Sequence, residues 1–311
     1  MLTTIWQPII AGVDTSPEAV RAARFAVALA SRADVPCRLV HAAPEVWTLP
    51  ATPHPFAEGP QEMNEAAATA SANAVRTALT NNVPDDILET LEVRVGRPAI
   101  ALADAADAHG AGLIVVGGKH HTLLGRWVAG STAHAVVRTA PVPVLIASGE
   151  QLPHRRVLCA VDVSEAARPT IHAASRWATL LDADLTVMNV IEPMPVMAEA
   201  PFAMTAAEHE AHVEEALART VWPVVPADAD RLVRHGDPER VIADEVARQG
   251  ADLVVVGSHG RGWFDRVLIG SVTERLLGAL PTGLLVVPVT GPTTRRRRWH
   301  ARTRVLDMIG R

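Results

Sequence analysis

A glycine-rich segment follows an apolar run in the second half of the chain. Gly257–Gly260, with the sequence GSHG, comes directly after Leu253–Val256, and Gly270-Ser271 follows Gly260 after nine residues. Glycines just past a strand leave backbone N–H groups open to phosphate oxygens, because no Cβ blocks the approach and positive φ is allowed. The spacing therefore predicts an anion-binding loop at the end of a strand. Gly262 gives the backbone of this loop further conformational freedom.

A helix is predicted to begin beside this loop. Ser271-Val272-Thr273-Glu274 has the pattern of a capping box, in which Ser271 caps the helix and Glu274 reaches back to the cap. The free N–H groups and the positive end of the helix dipole would then point toward the loop. The alternative is that these residues are purely structural: the glycines form turns, and Ser271 caps the helix without binding a ligand. The agreement of strand, loop, spacing and helix start favours the anion site.

An internal repeat organises the chain. Residues 9–19, IIAGVDTSPEA, match residues 157–167, VLCAVDVSEAA, which pairs Asp14 with Asp162 at an offset of 148. Residues 112–132 match residues 252–272 at an offset of 140. An Asp after a strand often caps the following turn, so Asp162 has that interpretation as well as one as a ligand of a bound molecule. We favour the ligand role, because the repeat preserves Asp14.

The apolar pattern predicts two doubly wound α/β domains. Apolar runs alternate with Ala-rich helical stretches, and 113–116 and 253–256 are apolar throughout, as in central parallel strands. Ser16-Pro17-Glu18 predicts a helix start. Because 148–156 is polar with Gly and Pro, we expect domains at 1–149 and 153–291 and an Arg-rich tail at 292–311.

The set G-x-x-G, nine residues, G-[S/T] resembles the fingerprint of ATP-binding universal stress proteins, and about residues 5–290 resemble two copies of that family's domain. The resemblance implies tandem five-stranded parallel sheets of the order 3-2-1-4-5, an adenine-nucleotide α-hydrolase-like fold, with ATP across the carboxyl ends of strands 1 and 4. It puts Asp162 near the ribose and any Mg²⁺, and the backbone of Ala160 and Val190 near the adenine.

The resemblance defines candidate nucleotide-binding residues in both halves. In the second half they are Ala160, Asp162, Val190, Gly257, Ser258, His259, Gly260, Arg261, Gly262, Gly270, Ser271 and Val272. The corresponding residues of the first half are Gly12, Asp14, Ala42, Gly117, Gly118, Lys119, His120, Gly130, Ser131 and Thr132.

The first half departs from the pattern at His120, which stands where the family has its second glycine. A non-glycine residue at positive φ costs about 1 kcal/mol or more, and the imidazole would compete for the phosphate space. Lys119 is the chain's single lysine and either contacts phosphate or lies there by accident. His120 and His121 are adjacent, so they do not present both side chains to one ion, and we predict no transition-metal site.

Three classes of function remain. The leading one is an ATP-dependent regulator of stress response or growth, acting through protein partners that the sequence does not name. The second is a slow ATPase or phosphotransferase. The sequence supports this enzyme class less well, because it has no G-x-x-x-x-G-K-[S/T] phosphate-binding loop. His259 could still orient a water molecule that attacks a phosphate. The third is a nucleotide-free dimerisation module. The resemblance also implies that the fifth strands of the halves pack together, and it leaves open whether tandem chains assemble further into a homodimer.

Composition and charge limit the class of protein and its expected location. The chain is 49% hydrophobic and 20% charged, which predicts a folded protein, and its two cysteines make no disulfide framework. Without a basic, apolar leader or an apolar run of bilayer length, we expect a cytoplasmic protein with no membrane span. The tail from Pro292 carries seven Arg and one Asp. A solvated tail is favoured over one that binds nucleic acid.

Overall fold

The computed structural model describes residues 7–45, 60–121, 126–148, 155–193, 205–259, 269–279, 282–289 and 304–306. These residues divide into two compact units. The first unit takes the described residues of Met1–Lys119, Ala129–Leu152 and Gly291–Arg311, and the second takes those of His120–Val128 and Pro153–Thr290.

The first unit contains a doubly wound parallel sheet. Its strands are β1 (Ile9–Val13), β2 (Cys37–Ala43), β3 (Glu92–Val95), β4 (Leu113–His121), which belongs to this unit as far as Lys119, and β6 (Val144–Ala147). Of the short β5 (Arg126–Ala129), only Ala129 belongs to this unit. The parallel strands lie in the order β3-β2-β1-β4-β6. This confirms the predicted order 3-2-1-4-5.

Five helices of the first unit connect or flank these strands within the described residues. They are α1 (Pro17–Ala33), α2 (Pro60–Leu79), α3 (Asp85–Leu88), α4 (Pro98–His109) and α5 (Ser131–Thr139). Helix α1 begins as predicted, because the Ser16 side chain accepts a hydrogen bond from the Ala19 N–H at 3.2 Å. It ends at Asp34, whose left-handed φ of 53° stops the helix.

The second unit repeats this architecture. Its strands are β7 (Arg156–Ala160), β8 (Asp184–Ile191), β9 (Asp230–His235), β10 (Leu253–Gly257) and β11 (Gly283–Val287), in the parallel order β11-β10-β7-β8-β9. The helices are α6 (Ala167–Leu181), α7 (Ala206–Ala216), α8 (Pro238–Gln249) and α9 (Ser271–Gly278). A π-helical turn (Leu217–Val221) and a 3₁₀ turn (Trp222–Val224) follow α7. The predicted strand order is confirmed again.

Each core lies on both faces of its sheet. The predicted central runs are central strands, and Ile114, Val115, Val254 and Val255 are fully buried. Such strands are apolar throughout because helices cover both faces. The two cysteines are also buried, and this burial raises the pKa of both thiols, that of Cys37 to about 12.

Three residues of the Arg-rich tail belong to the first sheet. Strand β12 (Arg304–Leu306) pairs antiparallel with β3, with Arg304 opposite Val95 and Leu306 opposite Val93. The expectation of a solvated tail is therefore wrong for 304–306, because an edge strand offers unpaired N–H and C=O groups to any strand within reach. The rest of the tail lies outside the described residues. In the described part of the chain, no helix combines the length and hydropathy needed to cross a bilayer.

Candidate functional site

A cavity of about 320 Å³ opens at the carboxyl ends of the second unit's strands. Its walls include Asp162 after β7, Val190 in β8, Gly257 at the end of β10 and the first residues of α9. In open α/β sheets, ligands bind at this edge, where the strand order reverses. The structure thus brings the predicted residues Ala160, Asp162, Val190, Gly257, His259, Gly270, Ser271 and Val272 around one cavity.

The start of α9 differs from the predicted capping box. Gly270 is the N-cap, with φ −59° and ψ 145°, and no side chain caps the helix. Ser271 is the first helical residue, one position too late to cap it. The uncapped first turn borders the cavity, so its N–H groups and the positive dipole end are available to an anion. Thr273 anchors this turn by donating a hydrogen bond to the Gly257 carbonyl at 2.8 Å.

The strand-end glycines permit close packing rather than an unusual turn. A Cβ on Gly257 would lie 3.1 Å from the Ala166 Cβ and 3.2 Å from the Thr170 Oγ1. A Cβ on Gly117 would lie 2.6 Å from the Glu18 carbonyl oxygen. Neither glycine has positive φ. Each therefore lets the helix after the first strand of its unit approach the strand that borders the cavity.

The two repeated aspartates both make local turns. Asp162 Oδ1 accepts hydrogen bonds from the Ser164 N–H at 3.0 Å and the Ser164 hydroxyl at 2.5 Å. Asp14 Oδ1 accepts one from the Ser16 N–H at 2.7 Å. Each aspartate also borders the cavity of its own unit. The capping interpretation is thus realised, and the ligand role of Asp162 stays a prediction.

Ser258 orients His259 at the cavity wall. Ser258 is 4% exposed, and its Oγ accepts a hydrogen bond from the Val289 N–H at 3.2 Å. Its hydroxyl also forms a hydrogen bond with His259 Nδ1, 2.8 Å away, which fixes the orientation of the ring. Ser258 acts behind the cavity rather than on it. The predicted residues Gly260, Arg261 and Gly262 lie outside the described residues.

The equivalent cavity of the first unit is about 170 Å³. It is bordered by the predicted residues Gly12, Asp14, Ala42, Gly117, Gly130, Ser131 and Thr132. The structure does not bring Gly118 there, since it is buried within β4. Lys119 and His120 continue β4. The predicted left-handed strain at His120 is therefore wrong, because strand backbone has negative φ.

Sequence reasoning missed a pair of buried polar residues, His41 and Asn189. His41 Nδ1 donates to the Val13 carbonyl at 2.9 Å, so its Nε2 accepts from the Ser71 hydroxyl at 2.6 Å. Asn189 Nδ2 donates to the Val161 carbonyl at 2.8 Å. Both residues line the cavities of their units. The offset of 148 that pairs Asp14 with Asp162 also pairs these two, which was the available signal.

Metal ligands are sparse around these cavities. In the ranges that the structure describes, no group of three or more His, Cys, Asp or Glu side chains is placed to hold an ion. Any divalent cation would depend on oxygens that a bound molecule supplies, which is how Mg²⁺ usually binds beside phosphates.

Comparison with known proteins identifies the repeat. The profile of the universal stress protein family matches residues 6–148 and again residues 153–288. A universal stress protein of Mycolicibacterium smegmatis is 33% identical over 292 residues, covering 90% of this chain and 96% of the relative. One of Mycobacterium tuberculosis is 28% identical over 289 residues, covering 89% and 96%.

Solved structures agree on the fold. A universal stress protein from Archaeoglobus fulgidus superimposes with a TM-score of 0.62 at 16% identity, covering 93% of this chain and 99% of that one. A putative universal stress protein from Pseudomonas aeruginosa gives 0.59 at 17% identity, covering 92% and 94%. Two family matches in succession account for most of the sequence, and the chain belongs to the universal stress protein family, with two copies of its domain.

Proposed function

We propose that the second unit binds ATP and that the chain acts as a nucleotide-dependent regulator of stress response or growth. One observation carries the proposal. The uncapped N-terminus of α9, the Asp162 carboxylate and an apolar wall border a single cavity at the edge where the strand order reverses. An anion at one end, a hydroxyl-bearing sugar in the middle and an apolar ring at the other end would match these three features.

The size and chemistry of the cavity support a nucleotide. Small-molecule sites usually occupy about 300–1,000 Å³, so about 320 Å³ is sufficient for a compact ligand. Met188, Val213 and Ile242 give it an apolar part that suits a base. At the other end, the first turn of α9 supplies backbone N–H donors that suit phosphate oxygens, and His259 borders the same region. ATP would bring Mg²⁺ on its phosphates, and Asp162 is the acidic residue of the cavity that the family resemblance puts beside it.

Regulation follows from mass action. A ligand that binds only the folded state stabilises it by about 2.7 kcal/mol at a concentration 100 times its Kd. Such stabilisation would act on the second unit, and protein partners would then recognise the occupied state. Slow hydrolysis remains the alternative, with His259 as the residue that would orient water.

Nucleotide released by denaturing the purified protein tests the proposal. We expect about one equivalent of ATP per chain, because the first unit's cavity is half the size. Gly260→His should abolish the bound nucleotide, whereas His120→Gly should not reduce it. Negligible turnover is expected, and rapid hydrolysis that disappears in Asp162→Ala would favour the enzyme. Protein that neither carries nor takes up ATP would overturn the proposal.

A further inference from the structure

Asn189 has a hydrogen-bond acceptor for which the structure supplies no donor. Its side chain is 3% exposed, and its Oδ1 has no hydrogen-bond partner among the described residues. A buried polar atom left unsatisfied costs about 1–3 kcal/mol, so folded proteins seldom retain one without a use. Asn189 lines the cavity of the second unit, where a bound molecule can provide the missing donor.

The orientation of the amide is fixed by its other hydrogen bond. Nδ2 donates to the Val161 carbonyl at 2.8 Å, and exchanging the two amide atoms would place two oxygens at that distance. Val161 cannot easily move, because its own N–H donates to the Met188 carbonyl at 2.9 Å. The orphan acceptor is therefore held in one direction, away from the end of β7.

The position of Asn189 in the sheet indicates which part of a nucleotide it meets. Asn189 is on β8, which is separated by β7 from β10, where the phosphate-binding elements begin. Neighbouring strands are about 4.8 Å apart, so Asn189 is about 10 Å across the sheet from β10. A nucleotide whose phosphates face α9 would place its base near β8. The cavity that Asn189 lines also has the apolar residues Met188, Val213 and Ile242 in its wall.

We infer that Asn189 Oδ1 accepts a hydrogen bond from the exocyclic amino group of adenine and makes the second unit select adenine over 6-oxopurine nucleotides. Adenine carries a donor at this position of the ring, whereas hypoxanthine and guanine carry an acceptor oxygen that would face Oδ1 with no proton between them. This inference rests on the proposed binding of ATP in this cavity.

The first unit shows what the alternative side chain does. His41 occupies the equivalent place, but both ring nitrogens are already engaged, one by the Val13 carbonyl and the other by the Ser71 hydroxyl. It has no acceptor left for a ligand. A histidine at this place therefore depends on a second partner such as the Ser71 hydroxyl, whereas Asn189 leaves its acceptor to a ligand.

Titration calorimetry of the full chain with ATP and ITP tests the inference. Wild type should bind ATP at least tenfold more tightly than ITP. Asn189→Leu and Asn189→Ala, which both lack an acceptor, should each bring that ratio close to one, mainly by weakening ATP. Affinity for inorganic tripolyphosphate should stay within about twofold, which shows that the phosphate end is intact. His41→Asn is the matched control in the first unit and should leave the ratio unchanged.

The possible failures are distinguishable. Wild type that binds neither ATP nor ITP refutes the proposed function itself. Wild type that binds both equally, or variants that bind ATP and keep the wild-type ratio, refute the role of Asn189 and leave nucleotide binding standing. If one variant fails to fold, the other still decides, because Leu nearly fills the volume of the amide and Ala leaves it open.

Discussion

The two units of this chain share one fold but differ in the space they keep at the same edge. Their strands follow the same order, and their helix starts at α5 and α9 are both uncapped by side chains. Yet the cavity of the second unit is about 320 Å³ and that of the first about 170 Å³. The two units therefore share their buried strands and differ in the side chains at this edge, and a binding site depends on such side chains rather than on the fold.

One pair of equivalent residues differs in size at this edge. His41 places an imidazole where the second unit has the smaller amide of Asn189. In the first unit the imidazole, held by the Val13 carbonyl and the Ser71 hydroxyl, therefore takes up more space at this edge than the amide does in the second.

The largest expected effect comes from a negative charge at the start of α9. Ser271→Asp should weaken ATP binding about 100-fold, because like charges at about 4 Å repel by up to about 4 kcal/mol in a partly screened site. An acid in a first helical turn stabilises the helix, so folding should be unharmed. The measurement is calorimetric affinity together with thermal unfolding.

Ser131→Asp is the matched change in the first unit, since Ser131 is likewise the first residue of its helix. It should leave ATP affinity within twofold. Equal losses from both substitutions would show that the two units bind nucleotide alike, which would contradict the asymmetry argued from their cavities.

Replacing the buried carboxylate of Glu245 should have the next largest effect, and it should change stability without changing ATP affinity. Glu245, whose side chain is 4% exposed, accepts hydrogen bonds from Arg248 and from Arg234, the latter at 3.3 Å, and Gln249 donates to it at 2.5 Å. Glu245→Gln should lower the free energy of unfolding of the second unit by about 2 kcal/mol at pH 7, because a charged hydrogen-bonded group is lost. Urea unfolding measures it, and unchanged ATP affinity is the control.

The pH dependence of that effect has a defined sign. The hydrogen bond from Arg248 is the largest cause lowering the pKa of Glu245, against the opposing effect of burial. A lowered pKa in the folded state gives stability that is complete above the unfolded pKa of about 4.3 and is lost as pH falls through the folded value. Glu245→Gln should therefore flatten the acid loss of stability below pH 4.5. A parallel loss in variant and wild type would contradict this assignment.

Glu92 offers the comparison in the first unit. Burial would raise the pKa of Glu92, but hydrogen bonds from His109 at 2.7 Å and Arg94 at 2.5 Å, with the charge of Arg94, lower it overall. Glu92→Gln should flatten the acid transition of the first unit in the same direction. Each substitution should change only the acid unfolding of the unit that contains it. The pair of variants therefore shows which acid transition belongs to which unit.

A smaller change separates the two interpretations of Asp162. Asp162→Asn keeps an oxygen that can accept from the Ser164 N–H, so a residue that only caps the turn should tolerate it. If Asp162 contacts the ribose or Mg²⁺, ATP affinity should fall about tenfold, or about 1.4 kcal/mol. Asp14→Asn should change ATP affinity little. Unchanged affinity in Asp162→Asn would assign the residue to the turn alone.

The sequence predicts this fold better than it predicts the site. Apolar runs such as 253–256 and the Ser16 cap depend on local patterns, and both are found where expected. The capping box at Ser271 failed because Gly270, one residue earlier, takes the N-cap position in the folded backbone. Asn189 was missed because its meaning depends on Val161 across the sheet and on a donor that is absent, neither of which periodicity records.

The smallest expected effect concerns the edges of the two sheets. In the first unit, β12 pairs with the outer side of β3, whereas within the described residues no strand pairs with the outer side of β9. Deleting 292–311 should therefore increase amide hydrogen exchange along Val93–Val95 and leave β9 unchanged. Because three residues of antiparallel pairing are lost, global stability should fall by only about 0.5–1 kcal/mol. Slower exchange, or equal changes at both edges, would show that the tail does not protect β3 in solution. A selective increase would show that the units differ at their sheet edges as well as in their cavities.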